Sequence, residues 1–133
     1  FEVMQHHITT IAPLSFDCSK ILTQADLNSQ QWIMMGDYCP FDEVLKRTLG
    51  KNIPSILKTS DDGTRLALVK KGFGLSFLST DEAHLAKKNA EVQIISLLDF
   101  SIKEYFVIAK ERINEPLVKA LMQEIRILWG IGL

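Results

Sequence analysis

The sequence predicts an α/β fold, with a mainly parallel sheet covered by helices on both faces. Three observations carry this. Strand-like and helix-like segments alternate along the chain, a pattern that βαβ crossovers produce. Most of the predicted helices have a recognisable start or stop in the residues that flank them. The composition is that of a packed domain, with 47% hydrophobic and 23% charged residues in a chain of 133.

His6 to Ala12 reads as a β-branched strand closed by Pro13. Thr23 followed by Asp26 marks one short helical turn through Ser29. Trp32 to Met35 is a short apolar run bounded by Gly36, which suits a buried strand. Pro40 then opens a helix with Asp42 and Glu43 in its first turn, and Lys46, Arg47 and Gly50 mark its end. Ser55 to Thr59 is a strand, and Ser60 or Asp61 caps the helix carrying Leu66 and Val69. Gly72 closes that helix and Leu75 to Leu78 forms the next strand. Ser79 and Glu82 have capping-box spacing for a helix ending near Lys87 to Asn89. Val92 to Ile95 and Tyr105 to Ala109 are predicted as two separate strands. Asn114 is the expected cap of a last helix striped by Leu117, Leu121, Ile125 and Leu128.

The 15 basic and 16 acidic residues nearly cancel. A module that grips DNA through its phosphates carries a basic excess, so this chain is not expected to bind duplex DNA itself. Two cysteines, Cys18 and Cys39, cannot make a disulfide framework or a four-cysteine zinc site. They read as free thiols of a reducing, cytoplasmic compartment. No apolar run reaches the length of a membrane span, and the first residues lack signal-peptide order. The start at Phe1 suggests a piece of a longer polypeptide.

No constellation of residues points to catalysis, a metal or a cofactor. Gly72-Phe73-Gly74 follows a helix and precedes a strand, the reverse of a dinucleotide fingerprint. His6 and His7 are neighbours on a strand and point to opposite faces. The pairs Asp42-Glu43 and Asp61-Asp62 lie in first helical turns, where the helix dipole accounts for them. A helix N-terminus lowers a thiol's pKa, which makes Cys39 the sharpest nucleophile candidate, but the carboxylates beside it oppose that shift. It is more naturally structural or pocket-lining. In sheets of this kind ligands bind at strand carboxyl ends, beside helix N-termini. Gly36 to Phe41, Thr59 to Asp62 and Ser79 to Asp81 meet that description.

The stretch TSDDGTRLALVKKGFGLSFLS, Thr59 to Ser79, resembles the best-marked segment of effector domains of LysR-type transcriptional regulators. In it Val69, Gly72, Gly74 and Leu75 to Leu78 match a helix ending in valine-x-x-glycine, then glycine and a small apolar strand. Leu27 and Gln31-Trp32-Ile33 resemble the preceding segment, and the likeness continues through Val92 to Ile95, Phe106 to Ala109 and the helix from Glu115. Two positions depart: Ser79 stands where the family often has proline, and Pro13-Leu14-Ser15 only approximates its histidine-proline-leucine.

The resemblance implies a subdomain like that of a type II periplasmic binding protein. Residues 1–110 would be the second effector-binding subdomain with its crossing strands, and 111–133 a helix belonging to the first. It implies a bacterial ligand-sensing domain that does no chemistry and binds a small molecule in a cleft between subdomains. DNA contact would come from a winged helix-turn-helix outside this chain. Asp37, Tyr38, Cys39, Phe41, Thr59 and Ser60 are the expected effector-binding residues, and free N–H groups there suit a carboxylate. The apolar helix from Glu115 to Trp129 further predicts a homo-oligomer. The competing readings are a fragment of an extracytoplasmic solute-binding protein and a small α/β enzyme.

Overall fold

The computed structural model describes residues 1–37, 39–50 and 52–132. The chain divides into two compact units, a larger one of His7–Ile102 and a smaller one of Phe1–His6 with Lys103–Leu133. Strands β1 (Glu2–Ala12) and β5 (Gln93–Tyr105) run through both. Besides a 3-10 turn at Cys18–Lys20, the larger unit holds α1 (Gln24–Asn28), β2 (Trp32–Met34), α2 (Pro40–Leu49), β3 (Ser55–Lys58), α3 (Asp62–Lys70), β4 (Ser76–Ser79) and α4 (Thr80–Lys88). The smaller unit holds α5 (Pro116–Leu128).

The predicted signals act locally as expected. The Asp26 carboxylate accepts from the Thr23 backbone N–H at 2.8 Å and closes the first turn of α1. Pro40 is the first residue of α2. Asp61, not Ser60, caps α3 by accepting from the Thr64 N–H at 2.7 Å. Ser79 caps α4, accepting from the Glu82 N–H at 3.4 Å. Glu115 rather than Asn114 precedes α5, and its carboxylate is held by the Arg112 guanidinium at 2.9 Å.

Sheet order in the larger unit follows from backbone pairing. β2 lies parallel to β3, and β4–β1–β5 form a second ladder. Leu75 joins the two: its N–H donates to the Gln31 carbonyl and its carbonyl accepts from the Ile33 N–H, both at 2.8 Å. The parallel arrangement is therefore met only in part, because β1 runs antiparallel to β4. The helices α2 and α3 connect β2, β3 and β4 in turn and hold those strands in one direction. No crossover helix links β1 directly to β4, so alternation along the chain did not fix its direction.

The strand expected at 92–95 extends instead from Gln93 to Tyr105 as β5, and of the strand expected at 105–109 only Tyr105 is in a strand. Polar residues such as Asp99 interrupt the apolar pattern locally. Pairing beside β1 overrides that local signal, and the Thr10 hydroxyl donates to the Leu98 carbonyl at 2.9 Å across it.

Apolar residues cover both faces of the sheet. Trp32, Met34, Leu75 and Phe77 join Leu27 of α1 and Leu45 and Leu49 of α2 in one core cluster. Ile33 and Leu78, one residue out of phase, join Val69 of α3 and Ala83 and Ala86 of α4 in a second. The period of two along β2 and β4 thus sends alternate side chains to opposite layers. Each such fully buried large side chain contributes roughly 1.5–3 kcal/mol. Trp32 also donates its indole N–H to the Leu27 carbonyl at 3.0 Å, which ties α1 to the sheet.

Candidate functional site

Because β2 and β3 are parallel neighbours, their carboxyl ends emerge side by side. The Thr59 N–H donates to the Met34 carbonyl at 2.8 Å, so the ladder continues into the loop after β3. Lys58 donates to the Asp37 carboxylate at 3.0 Å across the same edge. That hydrogen bond, with the lysine's charge, holds the Asp37 carboxyl below its usual value. Both groups are more than half exposed, so the pair orients the loops more than it stabilises the fold.

The fold therefore brings together the two loops that carry the predicted residues. Asp37 is exposed and Cys39 is half-buried as the N-terminal flanking residue of α2. The Cys39 thiol lies 3.2 Å from the Met35 sulfur. Thr59 is half-buried and Ser60 exposed at the entry to α3. Tyr38 lies outside the described residues. Phe41 is half-buried, packs on the core and meets the Phe77 ring edge-on at 6.0 Å.

The third predicted loop sits at the end of β4. Thr80 and Thr9 share a hydroxyl–hydroxyl hydrogen bond of 2.9 Å. Beside it His7, Ile8, Asp99 and Ser101 rim a shallow cavity of about 350 Å³. A cavity of about 420 Å³ lies at the opposite ends of β2 and β4, near Asp17, Lys20 and Phe73. Gln30 and Gly72 in its wall follow the ends of α1 and α3. It therefore lacks the helix N-terminal N–H groups that favour an anion at the first edge.

Two residues that organise this edge stand out only in three dimensions. Asp42 is 2% exposed, and its carboxylate accepts from the N–H groups of Met35 at 3.1 Å and Gly36 at 2.8 Å. In the sequence its only signal is an acid in a first helical turn. Asp42→Asn replaces one acceptor oxygen with a donor that faces a donor. It is expected to cost about 1–3 kcal/mol, measured by urea unfolding.

Arg65 is 1% exposed. It donates to the carbonyls of Thr59 at 3.4 Å, Ser60 at 3.3 Å and Phe77 at 3.2 Å, and to the Asp62 carboxylate. Its guanidinium stands 5.4 Å from the centre of the Phe77 ring. Arg65 thus fixes the loop after β3 against β4. A cation in the first half of a helix opposes the helix dipole, and that misfit was the one hint in the sequence.

What this edge offers is a set of backbone N–H groups and hydroxyls at two helix starts. That set suits recognition of a small polar ligand. Among the described residues no group of three or more His, Cys, Asp or Glu side chains is placed to hold a metal ion. No helix among them is long and apolar enough to cross a membrane.

No protein-family model and no curated protein matches the chain. Solved structures do. The regulatory domain of MetR, a LysR family regulator from N. meningitidis, superposes with a TM-score of 0.73 at 13% identity, over 96% of this chain and 62% of that one. This chain has the fold of LysR-type regulatory domains. The effector-binding domain of QuiR in complex with shikimate matches with a TM-score of 0.62 at 13% identity, over 98% of this chain and 64% of that one. Full-length LysG from Corynebacterium glutamicum with bound arginine matches with a TM-score of 0.57 at 13% identity, over 92% of this chain and 46% of that one. The chain thus spans about half to two thirds of the length of these LysR-type structures.

Proposed function

We propose that the chain is the ligand-sensing part of a bacterial LysR-type transcriptional regulator that works in the cytoplasm. A small effector, bearing a carboxylate or a similar acceptor, binds at the edge formed by the loops after β2 and β3. This edge is one wall of an effector cleft. Asp37, Tyr38, Cys39, Phe41, Thr59 and Ser60 are its residues, and Arg65 and Asp42 position them. Residues 1–110 make the second effector-binding subdomain with its crossing strands, and residues 111–133 belong to the first. Binding alters transcription through a winged helix-turn-helix outside this chain. The chain does no catalysis of its own.

One observation carries this reading: two parallel strands end side by side, and each leads into a helix N-terminus. The neighbours solved with arginine and with shikimate support it. The test is a thermal-shift screen of small carboxylates and amino acids against the regulator. Thr59→Val removes a hydroxyl that, among the described residues, makes one hydrogen bond, a long 3.4 Å contact from the Asp61 N–H. It is expected to weaken binding of a screened hit about tenfold and to leave the melting temperature nearly unchanged. An unchanged affinity would remove Thr59 from the site.

The reading includes a homo-oligomer. Leu117, Leu121 and Leu128 share one face of α5 and are 79%, 50% and 75% exposed. Exposed apolar stripes of this kind mark association surfaces, and a two-fold axis lets one such surface pair with itself. Light scattering is expected to show a concentration-dependent dimer that Leu121→Glu returns to monomer. A monomer at every concentration would refute the claim.

A further inference from the structure

We propose that the smaller unit holds a second binding site, for a small organic anion, built by Lys119 and Arg126 on one face of α5. Lys119, Met122, Gln123 and Arg126 recur at helical spacing, and with Ile113 and Asn114 they line a cavity of about 460 Å³. That volume is in the range of small-molecule sites.

The two cations distinguish this cavity from a plain surface dent. Among the described residues neither is within ion-pair distance of a carboxylate. Three of the five acids on the same unit are engaged elsewhere, Glu115 with Arg112, Glu104 with His6 and Glu2 with Lys103; Glu111 and Glu124 are in none of these pairs. Arg126 is also held in place, its guanidinium 4.9 Å from the centre of the Phe1 ring. That stacking restricts the side chain before any ligand arrives, and the ring face favours the cationic form. Among the described residues the Arg126 Nε is buried with no hydrogen-bond partner, as is the Nε of Arg65. Buried polar groups are almost always satisfied, so one that is not calls for an explanation. A guanidinium stacked on a ring and, among the described residues, without a counter-ion is preorganised for an anion.

The remaining lining residues set the class of ligand. Asn114 and Gln123 supply amide groups that fix orientation, and Ile113 and Met122 supply an apolar wall. The match is a carboxylate on a compact apolar body rather than a bare inorganic ion. The site shares no residue with the edge after β2 and β3, and its test reads a different unit of the chain.

The test uses protein labelled with ¹³C at the methionine methyl groups, with phenylacetate as the probe and phenylacetamide as its uncharged counterpart. Of the four methionines, Met122 lines this cavity and Met34 is buried in the other unit as an internal control. Phenylacetate is expected to move the Met122 signal saturably and leave Met34 in place, and phenylacetamide to do neither. Lys119→Gln and Arg126→Gln should each weaken the response about tenfold. Lys119 is exposed, so its variant decides the matter even if Arg126→Gln does not fold. A Met122 signal that does not saturate, that responds equally to the amide, or that is unchanged in Lys119→Gln would overturn the proposal.

Discussion

Replacing Arg65 with alanine is expected to destabilise the larger unit by about 3 kcal/mol, enough to lower a urea midpoint by roughly 1–2 M. Three backbone carbonyls, those of Thr59, Ser60 and Phe77, lose their donor at once. A buried side chain is deleted in the same step, and the space left against the Phe77 ring adds a cavity cost. The Asp62 carboxylate is half exposed and rehydrates, so the loss of the ion pair itself matters less than the loss of the carbonyl ties. Arg65→Met separates these contributions. It restores most of the volume and none of the hydrogen bonds, and should recover roughly a third to a half of the loss. A midpoint for Arg65→Ala within 0.3 M of the parent would show that the carbonyl ties are weak. The same variants report on the site, because the loop freed by the loss of Arg65 carries Thr59 and Ser60.

Gly74→Ala is expected to be as damaging for a different reason. A Cβ at this position would stand 2.6 Å from the Gln31 carbonyl oxygen and 3.1 Å from its carbon. These are backbone atoms that cannot swing aside. The same carbonyl accepts the Leu75 N–H at 2.8 Å, one of the bonds that joins β2 to β4. The methyl group must therefore either push the two strands apart or break the junction. The cost is expected to be about 2–4 kcal/mol by denaturant unfolding. Gly72, two residues earlier, has open space around its Cα and is the control. Its backbone has φ +86°, so Gly72→Ala is strained but meets no neighbour, and about 1 kcal/mol is expected. Equal losses at the two glycines would contradict the steric account.

The contrast between these glycines shows how far the sequence alone reaches. Reading Gly72-Phe73-Gly74 after a helix and before a strand excludes a dinucleotide loop and predicts a tight entry to the strand. It does not reveal that Gly74 touches Gln31, because that contact spans 43 residues and exists only once β2 and β4 are neighbours. The candidate site divides in the same way. Pro40 with Asp42, and Asp61 with Thr64, mark where two helices begin, since caps and first-turn acids act on backbone groups a few residues away. The loops before them were thus identifiable as ligand-facing candidates. That these two loops stand together, joined by Lys58 and Asp37, followed only from the parallel pairing of β2 with β3.

By itself the sequence determined the α/β class, most of the helix starts and the buried strand at Trp32 to Met34. Each depends on interactions between near neighbours or on the fixed period of a strand. Only the tertiary structure decided that β1 runs antiparallel to β4, and that residues 93–105 form a single strand. It also packed Phe41 on the core and buried Arg65 and Asp42. Strand direction without a crossover, and the burial of a charge among distant carbonyls, depend on which segments meet in space. No local propensity encodes that choice, because it is made by long-range pairing that offsets the cost of ordering the chain.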